Sequence, residues 1–102
     1  MAKVGRIVKF TAQDGKRDTL VEHLLRAARS LTAVSGCKLY AVYTSPAEAN
    51  AVWVVEAWES QADIDASLST EAATAAIQQV LPLLVEQPER VNTVPVGGKG
   101  LD

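Results

Sequence analysis

Residues 51–60, AVWVVEAWES, decide how the chain is read. The first eight are almost all apolar and rich in Val and Trp, the composition of a buried strand. Alternation along a strand puts Val52, Val54, Glu56 and Trp58 on one face and Ala51, Trp53, Val55 and Ala57 on the other. Neither face is polar, so both need cover. A chain of 102 residues has helices enough for one face only. The other is expected to meet a second copy. Glu56 is the one carboxylate in this wall, two residues from an indole, and chemistry, if the chain has any, starts there.

Reading outward, the flanking segments alternate in type. Lys3 to Thr11 reads as a first strand, with Gly5 a weak point or a bulge. Gln13-Asp14-Gly15 is a turn, with Asp14 a candidate N-cap. Leu20, Leu24, Ala27, Ala28 and Leu31 follow helical spacing between Lys16 and Thr32. Val34-Ser35-Gly36 ends that helix, with Gly36 suited to a left-handed cap or turn. Cys37 to Thr44 is a second strand, joined to the third through Ser45–Asn50 as an antiparallel hairpin. Ser60 with Asp63 three residues on is a capping-box pattern, opening a helix to about Leu68. Ser69-Thr70 restarts the helix, which runs through an alanine-rich stretch to Leu81. Arg90 to Val96 is the last strand, with Pro95 confining its end to an edge.

The order is β-α-β-β-α-β. It predicts an α+β, ferredoxin-like domain: a four-stranded antiparallel sheet with its helices on one face. The bare face carries apolar residues, and a patch of that size is expected to be covered by a symmetric dimer packed sheet to sheet. We read residues 1–96 as one domain and 97–102 as a flexible tail, which in a dimer is placed to cross onto the partner.

Composition narrows the function classes. The net charge of −2 comes from mixed signs with no basic run, which argues against nucleic acid. No stretch approaches the roughly 20 apolar residues of a membrane span, and MAKVGRIVKF lacks the apolar core of a signal peptide. The cytoplasm is the expected compartment. One cysteine, Cys37, and one histidine, His23, leave no thiolate or imidazole cluster for a metal.

Several features together resemble the antibiotic biosynthesis monooxygenase domains, a branch of the dimeric α/β-barrel superfamily. They are Asp14-Gly15-Lys16 before the first helix, Gly36-Cys37 opening the second strand, Tyr40 within it, and above all Glu56-Ala57-Trp58-Glu59-Ser60 leading into the second helix. The resemblance spans about Val4 to Val96. It implies cofactor-free oxygenation of quinol- or anthrone-like aromatics by dioxygen, in a homodimer. It also identifies a departure: where many members carry a histidine about nine residues after Glu-x-Trp, this chain has Ser67. The haem-degrading branch needs an Asn on the first strand and a Trp and His on the second helical region, none of which is present here, so no haem or other cofactor is expected.

The candidate residues each carry two readings. Glu56 is either a base or one half of a structural ion pair, with Arg6 or Arg90 as its partner; the pair is favoured. Trp58 stacks on a flat ring or packs the core, the core reading being favoured. Tyr40 and Tyr43 fall on opposite faces of their strand, so one faces the helices and the other the dimer seam. His23 sits beside the Leu24 stripe, either exposed and inert, the favoured reading, or handling a proton. Ser67 is a substrate donor or a helix cap. The alanines from Ala72 to Ala76 either draw their helix onto the sheet or leave a void beside Trp58. Two functions follow: an oxygenase with Glu56 or His23 moving the proton between walls of Trp58 and Tyr40, or a non-catalytic, ligand-binding or stress-related dimer with Glu56 locked in a salt bridge. An isomerase or dehydratase on the same scaffold needs only the same base.

Overall fold

The computed structural model describes residues 3–101. Four strands, β1 (Val4–Thr11), β2 (Cys37–Thr44), β3 (Ala51–Trp58) and β4 (Glu89–Thr93), form one antiparallel sheet in the order β2-β3-β1-β4. Three helices, α1 (Arg17–Ser30), α2 (Gln61–Leu68) and α3 (Glu71–Val80), and a 3-10 turn at Leu81–Leu83 complete it. This is the expected ferredoxin-like arrangement, with β3 inside the sheet. Residues 1, 2 and 102, which belong to the expected domain and tail, lie outside the described residues.

The parity read from β3 is the parity found. Val52 and Val54 are fully buried, Glu56 and Trp58 nearly so. They share a core with Val8 of β1, Leu20 and Leu24 of α1, Val80 of α3 and Leu84. Burying each such aliphatic side chain contributes roughly 1.5–3 kcal/mol as an upper estimate. On the opposite face Trp53 and Val55 are only half-buried. There Trp53 lies between Lys9 and Tyr43 in register, with the Lys9 ammonium 5.4 Å from the indole centroid.

Local chemistry explains the helix boundaries, with two corrections. Ser60 caps α2 as expected: its Oγ accepts from the Asp63 amide at 3.2 Å and donates to Asp63 Oδ2 at 2.8 Å. Thr70 caps α3, accepting from the Ala73 amide at 3.1 Å. Asp14, however, does not cap α1. Gly15 takes the left-handed conformation (φ 78°), so the helix starts after Lys16, which has no side-chain cap. Asp14 instead accepts from Asn50 Nδ2 at 2.7 Å, tying this turn to the β2–β3 hairpin. Gly36 is not left-handed either; α1 ends in right-handed geometry at Leu31. Gly36 is needed for space, since a Cβ there would run into the Asp63 side chain that completes the α2 cap. The last strand stops at Thr93 rather than Val96, because Pro95 has no amide to donate to β1.

α3 packs chiefly on α1 and on the 3-10 turn rather than on the strands. The turn itself is stitched to the end of β1: the Gln13 amide donates to Leu83 O at 2.8 Å and the Val85 amide to Thr11 O at 3.0 Å. The alanine-rich helix is thus held at its ends and stands off the sheet between them. That standoff creates the site.

Candidate functional site

A cavity of about 670 Å³ opens between the sheet and the helices. That is within the range of small-molecule pockets, roughly 300–1,000 Å³. The sheet supplies Arg6, Val8 and Phe10 from β1, Tyr40 from β2, Glu56 and Trp58 from β3 and Arg90 from β4. One wall is α1, from His23 to Leu31, with Val34 beyond it. The other includes Ser67 and Leu68 at the end of α2 and the small face of α3, Ala72, Ala73 and Ala76. Of the two outcomes open to that alanine run, the void is the one realised. Gln87 and Pro88 complete the rim beside Arg90.

The polar centre is compact. Arg6 Nη2 donates to Glu56 Oε1 at 3.2 Å and to Oε2 at 3.3 Å. Trp58 Nε1 donates to Glu56 Oε1 at 2.9 Å. The three residues are placed by register, since Arg6 lies directly opposite Glu56 and Trp58 is two residues along the same face. The Glu56 side chain is only 4% exposed and that of Arg6 17%, so the charges neutralise each other largely out of water, where an unpaired charge is costly. Arg6, not Arg90, is the partner. Arg6 Nε is buried without a hydrogen-bond partner.

Tyr40 lies opposite Glu56 in the β2–β3 register. Burial pushes its phenol well above the ordinary tyrosine range, and the Glu56 carboxylate adds to the shift. It is a neutral hydroxyl at working pH, able to donate. Burial also raises the half-buried Cys37 thiol, with Glu56 a second cause; a protonated thiol is a poor nucleophile. His23 is half-buried on the cavity wall rather than exposed, and its imidazole makes no hydrogen bond among the described residues. Among the described residues no group of three or more His, Cys, Asp or Glu side chains could hold a metal ion.

Of the six candidate residues, the structure brings Glu56, Trp58, Tyr40, His23 and Ser67 to one cavity. Tyr43 is the exception. It is 55% exposed on the bare face, three residues from Tyr40 and so of opposite parity. Two arginines also line the cavity. The sequence reading offers them only as partners for Glu56; the signal for a wider part is their parity, Arg6 on β1 directly opposite Glu56 and Arg90 one strand further out on β4, on the same face of the sheet.

Comparisons with known proteins agree with this fold. The sequence profile of the antibiotic biosynthesis monooxygenase family matches residues 4–79. The crystal structure of a candidate antibiotic biosynthesis monooxygenase from Chloroflexus aurantiacus is 36% identical, superposes with a TM-score of 0.88, and aligns over 99% of this chain and 100% of its own. A candidate enzyme of the same description from Caulobacter crescentus is 21% identical, with a TM-score of 0.87 over 94% of this chain and 92% of that one. Another, from Deinococcus radiodurans, is 20% identical, with a TM-score of 0.80 over 93% of each chain. Comparison with curated proteins returned no match.

Proposed function

This chain belongs to the antibiotic biosynthesis monooxygenase family, and from that premise we propose that it is a cytoplasmic, homodimeric, cofactor-independent monooxygenase acting on a quinol- or anthrone-like aromatic. The observation that carries the reading is the apolar cavity in which an indole, a buried phenol and an imidazole meet. A flat ring fits between Trp58 and the alanine face of α3, with the Tyr40 hydroxyl donating to a ring oxygen.

The reaction asks three things of the protein: bind the ring, take a proton from it, and keep water from the intermediate. His23 takes the proton. Neutral imidazole is the side chain suited to that near pH 7, and this one has no competing partner among the described residues. Glu56 is held by Arg6 and the Trp58 N–H, so it positions the indole rather than acting as the base. The substrate anion is itself the reductant. With an anthrone, dioxygen adds at the deprotonated carbon; one oxygen stays as the new carbonyl, and the other leaves as water with the two hydrogens of the original methylene. Electrons and atoms balance with dioxygen as the only oxidant.

The test is oxygen uptake with anthrone and hydroquinone panels in metal-free buffer. Turnover that falls about 10²–10⁴-fold in His23→Gln, the usual scale for losing a general base, supports the reading. Rates equal to buffer alone sink it. A second reading, a non-catalytic ligand-binding dimer, is favoured by the Arg6–Glu56 pair and by Ser67 standing in place of a histidine. It expects the same panel to bind without consuming oxygen.

A further inference from the structure

The charges around the cavity do not cancel. Its ionisable lining consists of Arg6, His23, Tyr40, Glu56 and Arg90. Tyr40 is neutral for the reason given above, and Glu56 is matched by Arg6. Arg90 remains: its side chain makes no ion pair or hydrogen bond among the described residues. On its own strand Glu89 has the opposite parity, in register with Lys9 on the bare face. Glu86, in the preceding loop, makes no ion pair with Arg90 among the described residues. Arg90 is opposite Val8 while Arg6 is opposite Asn92, so the two arginines are diagonal neighbours on β4 and β1, on the cavity face. Such diagonals are within reach of long side chains. Arg6 also keeps one buried donor, Nε, without a partner, and buried polar atoms are rarely left that way unless something else satisfies them.

We propose that Arg90, acting beside Arg6, is a specificity-determining residue that selects the aromatic ligand as its monoanion, holding one ionised phenolate or enolate oxygen at the β1–β4 end of the cavity. The inference rests on the cavity being the ligand site, as in the preceding reading. It adds the charge state of what binds and the residue that chooses it. A guanidinium at the rim of an apolar cavity favours an ionised oxygen over a neutral hydroxyl, because the bond to it is charge-assisted. The excess of one positive charge fits one negative charge on the ligand. Oxygen chemistry gains from this, since the same guanidinium stabilises the anion left when His23 takes the substrate proton, and that anion is the form that reduces dioxygen.

Alizarin, a hydroxylated anthraquinone whose visible colour reports its ionisation, and unsubstituted anthraquinone, which cannot ionise, make the test. Neither can be oxidised as an anthrone is, so binding is read without turnover. Below the free dye's own ionisation midpoint, alizarin bound to the wild-type protein is expected to show the anion band. In Arg90→Gln its affinity should fall about tenfold or more and the bound band shift toward the neutral form, while anthraquinone affinity changes less than about twofold. Arg90→Lys keeps a point charge and should recover part of the band shift. Arg90 is exposed on a terminal strand, so these variants should fold, and the wild-type spectrum is informative without them. The proposal is overturned if the bound dye is neutral, if Arg90→Gln weakens both dyes equally, or if neither dye binds. Anion-selective binding with no oxygen uptake from any anthrone would remove the oxygenase reading and leave this one standing.

Discussion

On the helix side of β3, Val52 and Val54 have no exposed surface, and Glu56 and Trp58 almost none. On the other side of the same strand, Trp53 and Val55 are half-covered, and across the sheet Tyr43 and Val91 are 55% and 58% exposed. One run of eight residues therefore serves two environments. The helix side is covered by the chain itself and left hollow, with Arg6, Glu56 and Trp58 joined in one bonded cluster. The bare side is open, with Trp53, Val55, Tyr43 and Val91 beside the Lys9 and Glu89 charges. The contrast teaches that the two faces fail differently: the first by leaving a charge or a hole inside the protomer, the second, in the homodimer proposed above, by losing its partner.

The largest effect is expected from Arg6→Leu. It leaves the Glu56 carboxylate, 4% exposed, without its counter-charge and should cost about 3–5 kcal/mol of folding stability, read from urea denaturation. Arg6→Leu with Glu56→Leu should recover most of that, because the uncompensated charge is gone. If the single change cost under about 1 kcal/mol, in the range of a surface pair, the cluster would not be the closed interior described. Next is Val91→Glu on the bare face. It should raise the dissociation constant of the proposed dimer about a hundredfold or more, roughly 2.8 kcal/mol, in sedimentation equilibrium, while the protomer stays folded. An unchanged association state would mean that the face is not the interface. Val54→Ala, on the inner face, should cost about 2 kcal/mol through two lost methyl groups and the cavity left behind, with no change in association.

The smallest effect concerns Tyr40. Its folded pKa is raised, burial first and Glu56 second, so the folded state holds the proton more tightly than the unfolded chain. The stability this gives is complete below about pH 10, the ordinary tyrosine value, and is lost as pH climbs above it toward the folded value. Alkaline unfolding should therefore set in above about pH 10 and be shallower in Tyr40→Phe. In ultraviolet titration the native protein should show one phenol that does not ionise with the free amino acid, and Tyr40→Phe should remove that component. A native titration in which Tyr40 ionises normally would mean that the cavity is wet around it.

The amino-acid sequence by itself determined the order and type of the elements, the parity of β3 and the Ser60 cap. These depend on period-two and period-3.6 patterning and on short-range hydrogen bonds, which the chain states locally. It narrowed the partner of Glu56 to two arginines and stopped there. Only the tertiary structure chose Arg6, because strand register decides which guanidinium lies across from the carboxylate. The structure also sent Asp14 to Asn50 and reserved Gly36 for the Asp63 side chain, both through contacts between segments far apart in the chain. The hollow was decided there too. Ala72, Ala73 and Ala76 are equally compatible with a helix pressed onto a sheet and with one held away from it. The choice was made at the helix ends, where α1 and the Leu81–Leu83 turn carry α3 clear of the strands and leave Trp58, Tyr40 and His23 facing a space no local pattern could announce.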